Sequence, residues 1–193
     1  MNLAERVTVC MPVMNASKAI NASLEALAMQ EIPRLKVLIY DNGSVDGTPE
    51  MIKKQIENKW WRYIDMELSE TTERTGGKTV NIPFMRHKLL GMVKTELVFF
   101  LDADVIIPPR SLEQLVKEFD ESKGVGMMGL RYEPLHDHVT MGATVMRSDI
   151  GRKIEWKWTG ERCDCMTCIK QLQDMGLDSL YYRHTQARHL KIM

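Results

Sequence analysis

The sequence predicts a single α/β domain whose mostly parallel sheet is flanked by helices, and three observations carry the prediction. Unbroken apolar runs at 7–11, 35–40 and 97–101 read as strands covered on both faces. Helical patterns lie between them, the alternation a parallel sheet requires. The later two runs end in acidic turns, Asp41-Asn42-Gly43-Ser44 and Asp102-Ala103-Asp104, at the strand ends where open α/β sheets place their ligands.

Each element has its own warrant. The run at 7–11 is followed by a helical pattern over 18–29, with Ile20, Leu24, Leu27 and Ala28 on one side. After the strand at 35–40, residues 49–58 and 80–93 also show helical spacing. The polar stretch 69–77 is the one segment long enough to serve as a mobile lid. Beyond the strand at 97–101, Pro108 and Pro109 initiate a helix over 111–119, because proline fits the first helical turn. Strands and loops fill 125–146. A last helix, about 166–175, is closed by Gly176. No repeat or low-complexity linker interrupts 1–193, so one domain is expected.

Composition narrows the function classes. The chain has 193 residues, 26 Lys plus Arg against 26 Asp plus Glu, 44% hydrophobic and 27% charged. A chain of this length buries roughly 70% of its unfolded surface, so neither disulfides nor a structural metal is needed to hold it. The run at 97–101 stops at Asp102, far short of the ~20 apolar residues of a membrane span. Residues 1–6 carry Glu5 and no long apolar stretch, which predicts a cytoplasmic product without a secretory leader. Balanced charge argues against a nucleic-acid partner, so an anionic ligand must be met by a local cluster or a metal. Of four cysteines, Cys10 stands alone in an apolar run, while Cys163, Cys165 and Cys168 crowd together. The crowded group reads either as incidental or buried thiols, the favoured reading, or as a zinc site completed by His184 or His189.

The acidic turns carry the chemistry. Asp41 can accept hydrogen bonds from a base or ribose, with Gly43 and Gly47 allowing a tight backbone turn. A plain strand-to-helix turn, with Asp46 and Thr48 as caps, accounts for the segment equally well. Asp102-x-Asp104 is sharper, because alternate carboxylates at a strand end can share one hard divalent cation, Mg2+ or Mn2+. Such a cation neutralises a departing diphosphate.

The runs Val7-Thr-Val-Cys-Met-Pro-Val-Met-Asn15, Lys36-Val-Leu-Ile-Tyr-Asp-Asn-Gly-Ser-Val-Asp-Gly-Thr48 and Phe99-Phe-Leu-Asp-Ala-Asp104, with Pro108 and Leu112, resemble the family-2 glycosyltransferases of the GT-A fold. The resemblance covers most of the chain. It implies a Rossmann-like mostly parallel sheet, with a nucleotide-binding half at about 1–105 and an acceptor-binding half at about 106–193. It also implies that Pro12, Asn15, Asp41, Gly43, Lys78, Arg86 and Asp102 bind a nucleotide-diphosphate sugar, although His87 stands where the family often has an Asn after the Arg. Asp102 and Asp104 would hold the metal, completed by His189 or its rival His184. For the acceptor-side base, Asp164 best matches the family's acidic position before the helix-ending Gly176, with Glu161 and Asp149 as rivals. The family is expected to invert the sugar carbon, on a glycan, protein or lipid acceptor, and a homo-oligomer is an open partner class. Pared-down members of this size occur in viruses and phages, which would place the chain in a host cytoplasm.

Aromatic residues are a weaker signal. Trp156 and Trp158 precede Glu161 and Asp164 and fit either an acceptor wall or the core, whereas Trp60 and Trp61 fit core or subunit contacts. Fifteen methionines suit an adaptable core. Three rivals remain in view. Gly77-Lys78-Thr79 ends like a phosphate loop, but Thr72 stands where that loop needs Gly. A sugar-phosphate nucleotidyltransferase would need a glycine-rich basic loop after Met11. A non-catalytic nucleotide-sugar-binding relative would bind donor without turning it over.

Overall fold

The computed structural model describes residues 2–58, 64–71, 78–133, 137–157 and 163–190, without the side chains of 78–81. A single turn, α1 (Leu3–Arg6), is capped by Asn2 and leads into β1 (Val7–Val13), every residue of which is buried. Then come α2 (Ile20–Ala28), β2 (Leu35–Asn42), α3 (Thr48–Glu57), β3 (Ile64–Thr71), α4 (Lys78–Met92) and β4 (Leu97–Leu101). The rest is β5 (Val105–Ile106), α5 (Ser111–Glu121), β6 (Val125–Arg131), β7 (Ala143–Arg147), α6 (Ser148–Gly151), α7 (Asp164–Asp174), β8 (Asp178–Gln186) and β9 (Arg188–His189). No helix among the described residues is long and apolar enough to cross a membrane.

Seven strands form one sheet in the order β3-β2-β1-β4-β7-β6-β8, and only β7 runs against the others. The unbroken apolar strands are explained by two cores, one on each face. Val9, Val37, Phe99 and Val145 meet α2 and α5 through Leu24, Leu27, Leu112 and Phe119. Cys10, Leu38, Phe100 and Met146 turn the other way, toward Leu89 of α4 and Leu172 of α7. Phe99 and Phe100 are wholly buried, one on each side, and each contributes roughly 1.5–3 kcal/mol of apolar burial.

Helix bounds depart little from the sequence pattern. The exception that matters is α7, which starts at Asp164 instead of 166 and so places Asp164 in its first turn. Gly176, at φ +74°, ends this helix, with the Leu177 N–H donating to the Leu172 carbonyl at 2.9 Å. The expected lid at 69–77 is corrected in part. Residues 69–71 belong to β3, an edge strand in which Ile64 is buried and Met66 and Leu68 on the same face are half-buried, and 72–77 lie outside the described residues. Lys36 of β2 pairs with Asp65 and Glu67 on this edge, whose alternating charges disfavour pairing with another chain.

The topology fixes where a ligand can enter. From β1 the chain winds outward through β2 and β3, then returns to β4 on the other side of β1. The β1–β4 ladder ends at Cys10 and Phe100, two residues before Pro12, whose ring has no N–H to extend it. The carboxyl ends of β1 and β4 therefore part into a crevice.

Candidate active site

The crevice is a cleft of about 640 Å³ lined by Pro12, Met14 and Asn15 from the end of β1, Ile82 and Met85 from α4, and Asp102, Asp104 and His189. The acid turn is closed on itself and tied to its neighbour. The Asp102 N–H donates to the Gly142 carbonyl at 2.9 Å, and the Val105 N–H to the Asp102 carbonyl at 3.1 Å. The next residues, β5, pair antiparallel with β9, with Val105 opposite His189. The Leu190 N–H also donates to the Asp104 carbonyl at 2.7 Å. This stitching brings His189 Nε2 to 3.1 Å from Asp104 Oδ2. His184, the rival, is exposed on β8 and packs edge-on against Tyr182.

Asp104 is charged at a cost. Burial pushes its carboxyl above the usual range, and the Asp102 charge adds to the push while His189 opposes it. His189 Nδ1 is buried with no hydrogen-bond partner among the described residues. Asp102, Asp104 and His189 line one cleft and offer the oxygen and imidazole donors that suit a hard or borderline divalent cation such as Mn2+ or Mg2+. Tyr132 stacks obliquely on His189, with ring centroids 5.6 Å apart. Burial, then the Asp102 charge, raises the Tyr132 phenol, so it stays protonated. Gly142 permits this crowding, since a Cβ there would stand 2.3 Å from the Tyr132 hydroxyl and 2.9 Å from Asp102 Oδ2.

Arg86 lies beneath the acid turn. It is 2% exposed, sits 5.8 Å from the Phe100 ring centroid, and donates from Nη2 to Asp102 Oδ1 at 2.9 Å. Its Nη1 donates to Asp164 Oδ2. One guanidinium thus ties the end of β4 to the first turn of α7 and brings Asp164 into the site. Both terminal nitrogens are engaged by carboxylates, a fork that suits arginine better than lysine.

The turn after β2 is built differently. Asp41 is 1% exposed and accepts from the Ser44 N–H at 2.9 Å and from its hydroxyl at 2.5 Å. Ser44 Oγ in turn accepts from the Asn15 N–H at 2.8 Å, and Asn15 Oδ1 accepts from the Val45 N–H at 2.9 Å. Asn15 holds a left-handed φ of 52°, which Asn tolerates better than most residues. Gly43 and Gly47 take φ of 72° and 84°. Gly47, not Asp46, stands at the N-cap of α3, while Asp46 accepts from the Thr48 N–H and hydroxyl and from the Ser17 N–H. Although burial pushes it upward, these bonds hold Asp46 down at about 2. Of this network, Asn15 lines the cleft, while Asp41 lies behind it.

Other sequence-predicted residues fall elsewhere. Asp149 is exposed on α6, just after Arg147, which pairs with Leu97 at the amino end of β4. It therefore lies near the opposite end of β4 from the acid turn. Glu161, Trp60, Trp61 and Trp158 lie outside the described residues, and so does the Lys78 side chain at the start of α4. Trp156 packs on Phe100 at 5.4 Å and donates to the Gly151 carbonyl, a core contact. Cys168 is 1% exposed in the core, and burial pushes its thiol up to about 12. Cys163 and Cys165 gather with His138, instead of with His184 or His189. Tyr132, Gly142 and Met85 carry no sequence signal for the site, because the register of β4 with β7 and the packing of α4 place them there.

Comparison with known proteins adds a family and a set of folds. The model of glycosyl transferase family 2 matches residues 8–173. No curated protein matches the chain in sequence. Among solved structures, a mannosyltransferase from Pyrobaculum calidifontis in complex with GDP-Man and Mn2+ superposes with a TM-score of 0.79 at 21% identity, covering 95% of this chain and 56% of that one. S. aureus TarS 1-349 in complex with UDP-GlcNAc gives 0.75 at 16% identity, over 97% of this chain and 59% of that one. Glucosyl-3-phosphoglycerate synthase from Mycobacterium tuberculosis, with Mn2+, UDP and phosphoglyceric acid, gives 0.71 at 13% identity, over 100% and 74%. The chain thus spans little more than half the length of the first two.

Proposed function

The chain belongs to glycosyl transferase family 2, and from that premise we propose that it moves a sugar from a nucleotide-diphosphate sugar to an acceptor hydroxyl, with metal dependence and inversion at the sugar carbon. The observation that carries the reading is the convergence of Asp102, Asp104 and His189 on one cleft, with Asp164 leashed to Asp102 through Arg86. Nucleotides or nucleotide sugars bound in three structures of the same fold, two of them with Mn2+, support a donor and a metal of this class here.

In this reading Asp102, Asp104 and His189 hold Mn2+ or Mg2+, which when bound neutralises the departing diphosphate. Pro12 and Asn15 wall the nucleotide, and the Asp41 turn with Gly43 receives its base or ribose. Lys78 serves the donor side. Arg86 holds Asp102 in place by its fork and adds positive charge behind the phosphates. Asp164, kept in orientation by the same guanidinium, takes the proton of the acceptor hydroxyl as that oxygen attacks from the face opposite the leaving group, which gives inversion. Residues of about 1–105 form the donor half, and about 106–193 the acceptor half.

A thermal-shift screen of uridine, guanosine, cytidine and thymidine diphosphates and their sugars, with and without Mn2+, tests the donor claim. One nucleotide should stabilise the chain in a Mn2+-dependent way, since ligand bound to the native state raises stability with the logarithm of its excess. That shift should vanish in Asp102→Asn and Asp104→Asn, and persist in Asp164→Asn while transfer is lost. Donor affinity unchanged in both aspartate variants sinks the metal site, and normal transfer by Asp164→Asn sinks the base.

A further inference from the structure

A second cluster of ligand-type side chains stands beside the first turn of α7, and the reaction above does not use it. His138, from the segment between β6 and β7, places Nε2 3.2 Å from the Cys163 sulfur, and Cys165 closes a triangle whose three ligand atoms lie within 4.8 Å of one another. A tetrahedral zinc with Zn–S near 2.3 Å and Zn–N near 2.0–2.1 Å sets its ligand atoms roughly 3.5–3.8 Å apart. Only a small adjustment separates the triangle from that geometry.

Two further observations point the same way. His138 Nδ1 lies 2.7 Å from Asp137 Oδ1, a carboxylate that can only accept, so in the neutral ring Nδ1–H donates and Nε2, which faces the Cys163 sulfur, is the ligand nitrogen. That carboxylate–histidine pairing commonly backs an imidazole ligand to a metal. The Tyr181 hydroxyl fixes the same residue from the other side by donating to the His138 carbonyl at 2.5 Å.

We propose that His138 Nε2 and the Cys163 and Cys165 sulfurs form a Zn2+ site, separate from the oxygen-rich cleft, that pins the first turn of α7 and the Asp164 carboxylate it carries. Ligand softness sorts the two sites. Thiolates and imidazole select zinc over manganese or magnesium, and the Asp102–Asp104 pair prefers the harder ions. The two ligand segments are 25 residues apart in sequence, so a cation between them cross-links the β6–β7 connection to α7. Asp164 lies between the two cysteines, with its Oδ1 3.8 Å from the Cys165 sulfur and its Oδ2 on Arg86. Zinc acts here as a positioning element and touches no substrate.

The test uses the full chain, reduced and stripped with a chelator, and needs no turnover. Titration with Co2+ should give the near-ultraviolet absorption of a sulfur-to-cobalt charge transfer, saturating at one ion per chain and displaced by Zn2+. The band should survive Asp102→Asn with Asp104→Asn, which removes the oxygen site, and disappear in Cys163→Ser. Zn2+ should also shield Cys163 from iodoacetamide in the unsubstituted chain, read by peptide mass, a measurement independent of how any variant folds. No charge-transfer band in the reduced unsubstituted chain, or equal alkylation of Cys163 with and without Zn2+, overturns the site. If zinc binds but its removal changes neither kcat nor KM of an active enzyme, the positioning role is overturned. Loss of the Mn2+-dependent nucleotide shift alone speaks against the cleft reading and leaves the zinc result standing.

Discussion

The turn after β2 and the turn after β4 carry the same residue type at equivalent strand ends, yet they are held in opposite ways. Asp41 and Asp46 find most of their partners within their own turn, in Ser44 and Thr48, and Asp46 adds Ser17 from the connection between β1 and α2. Asp102 and Asp104 are held by groups from distant parts of the chain: Gly142, Arg86 and His189. The first turn is satisfied by its own hydrogen bonds and makes a preformed wall. The second keeps unbalanced negative charge, which burial raises in free energy and a cation relieves. Two identical side chains thus become scaffold or site according to where their partners come from.

Substitutions should expose that difference in graded steps. Arg86→Leu removes the one cation shared by Asp102 and Asp164, and breaking a buried pair costs about 3–5 kcal/mol, to be read from urea unfolding. The nucleotide shift with Mn2+ should fall with it. Gly142→Ala forces a methyl against the Tyr132 hydroxyl and the Asp102 carboxylate, an overpacking worth about 1–3 kcal/mol. It should also weaken Mn2+ binding, measured by calorimetry, because Asp102 must move. Ser44→Ala belongs to the other turn. It should cost about 1 kcal/mol through the lost bonds to Asp41 and Asn15, and leave Mn2+ affinity unchanged. A change in metal affinity there as large as in Gly142→Ala would erase the distinction between the turns.

The smallest effect is a pH dependence. Asp46 sits at about 2 in the folded chain, below the ~3.9 of an unfolded Asp, so its hydrogen bonds stabilise the fold fully above about pH 4. That contribution is lost as pH falls through about 2. Asp46→Asn should therefore lower the melting temperature between pH 6 and 8 and flatten the acid limb of its pH profile.

Legibility in the sequence followed burial. Strands β1 and β4 are buried on both faces and β2 nearly so, and their apolar runs, broken only by Thr8 and Lys36, were easily read. The edge strands escaped. In β3, Ile64, Met66 and Leu68 alternate with Asp65, Glu67 and Ser69, and β8 is largely exposed, so neither makes an apolar run. Reversal of β7 has no local signature, since an antiparallel strand between two cores is as apolar as a parallel one. The candidate site divides the same way. Asp102 and Asp104 were readable because they end a strand, and the family resemblance supplied His189. Tyr132, Gly142 and the pairing of His138 with Cys163 depend on contacts between remote segments, which spacing along the chain cannot encode.

The ribbon of β5 with β9 sets a schedule for the molecule's making. His189 reaches Asp104 across 85 positions, and contacts of such separation form late because chain closure must precede them. A ribosome completes β1, β2 and β4 long before residue 189 has left its exit tunnel. The nascent chain can thus lay down the crevice between β1 and β4 while its third proposed metal ligand is still unsynthesised. Emergence of β9, rather than formation of the sheet, would then be the moment at which the cleft can complete its proposed set of metal ligands.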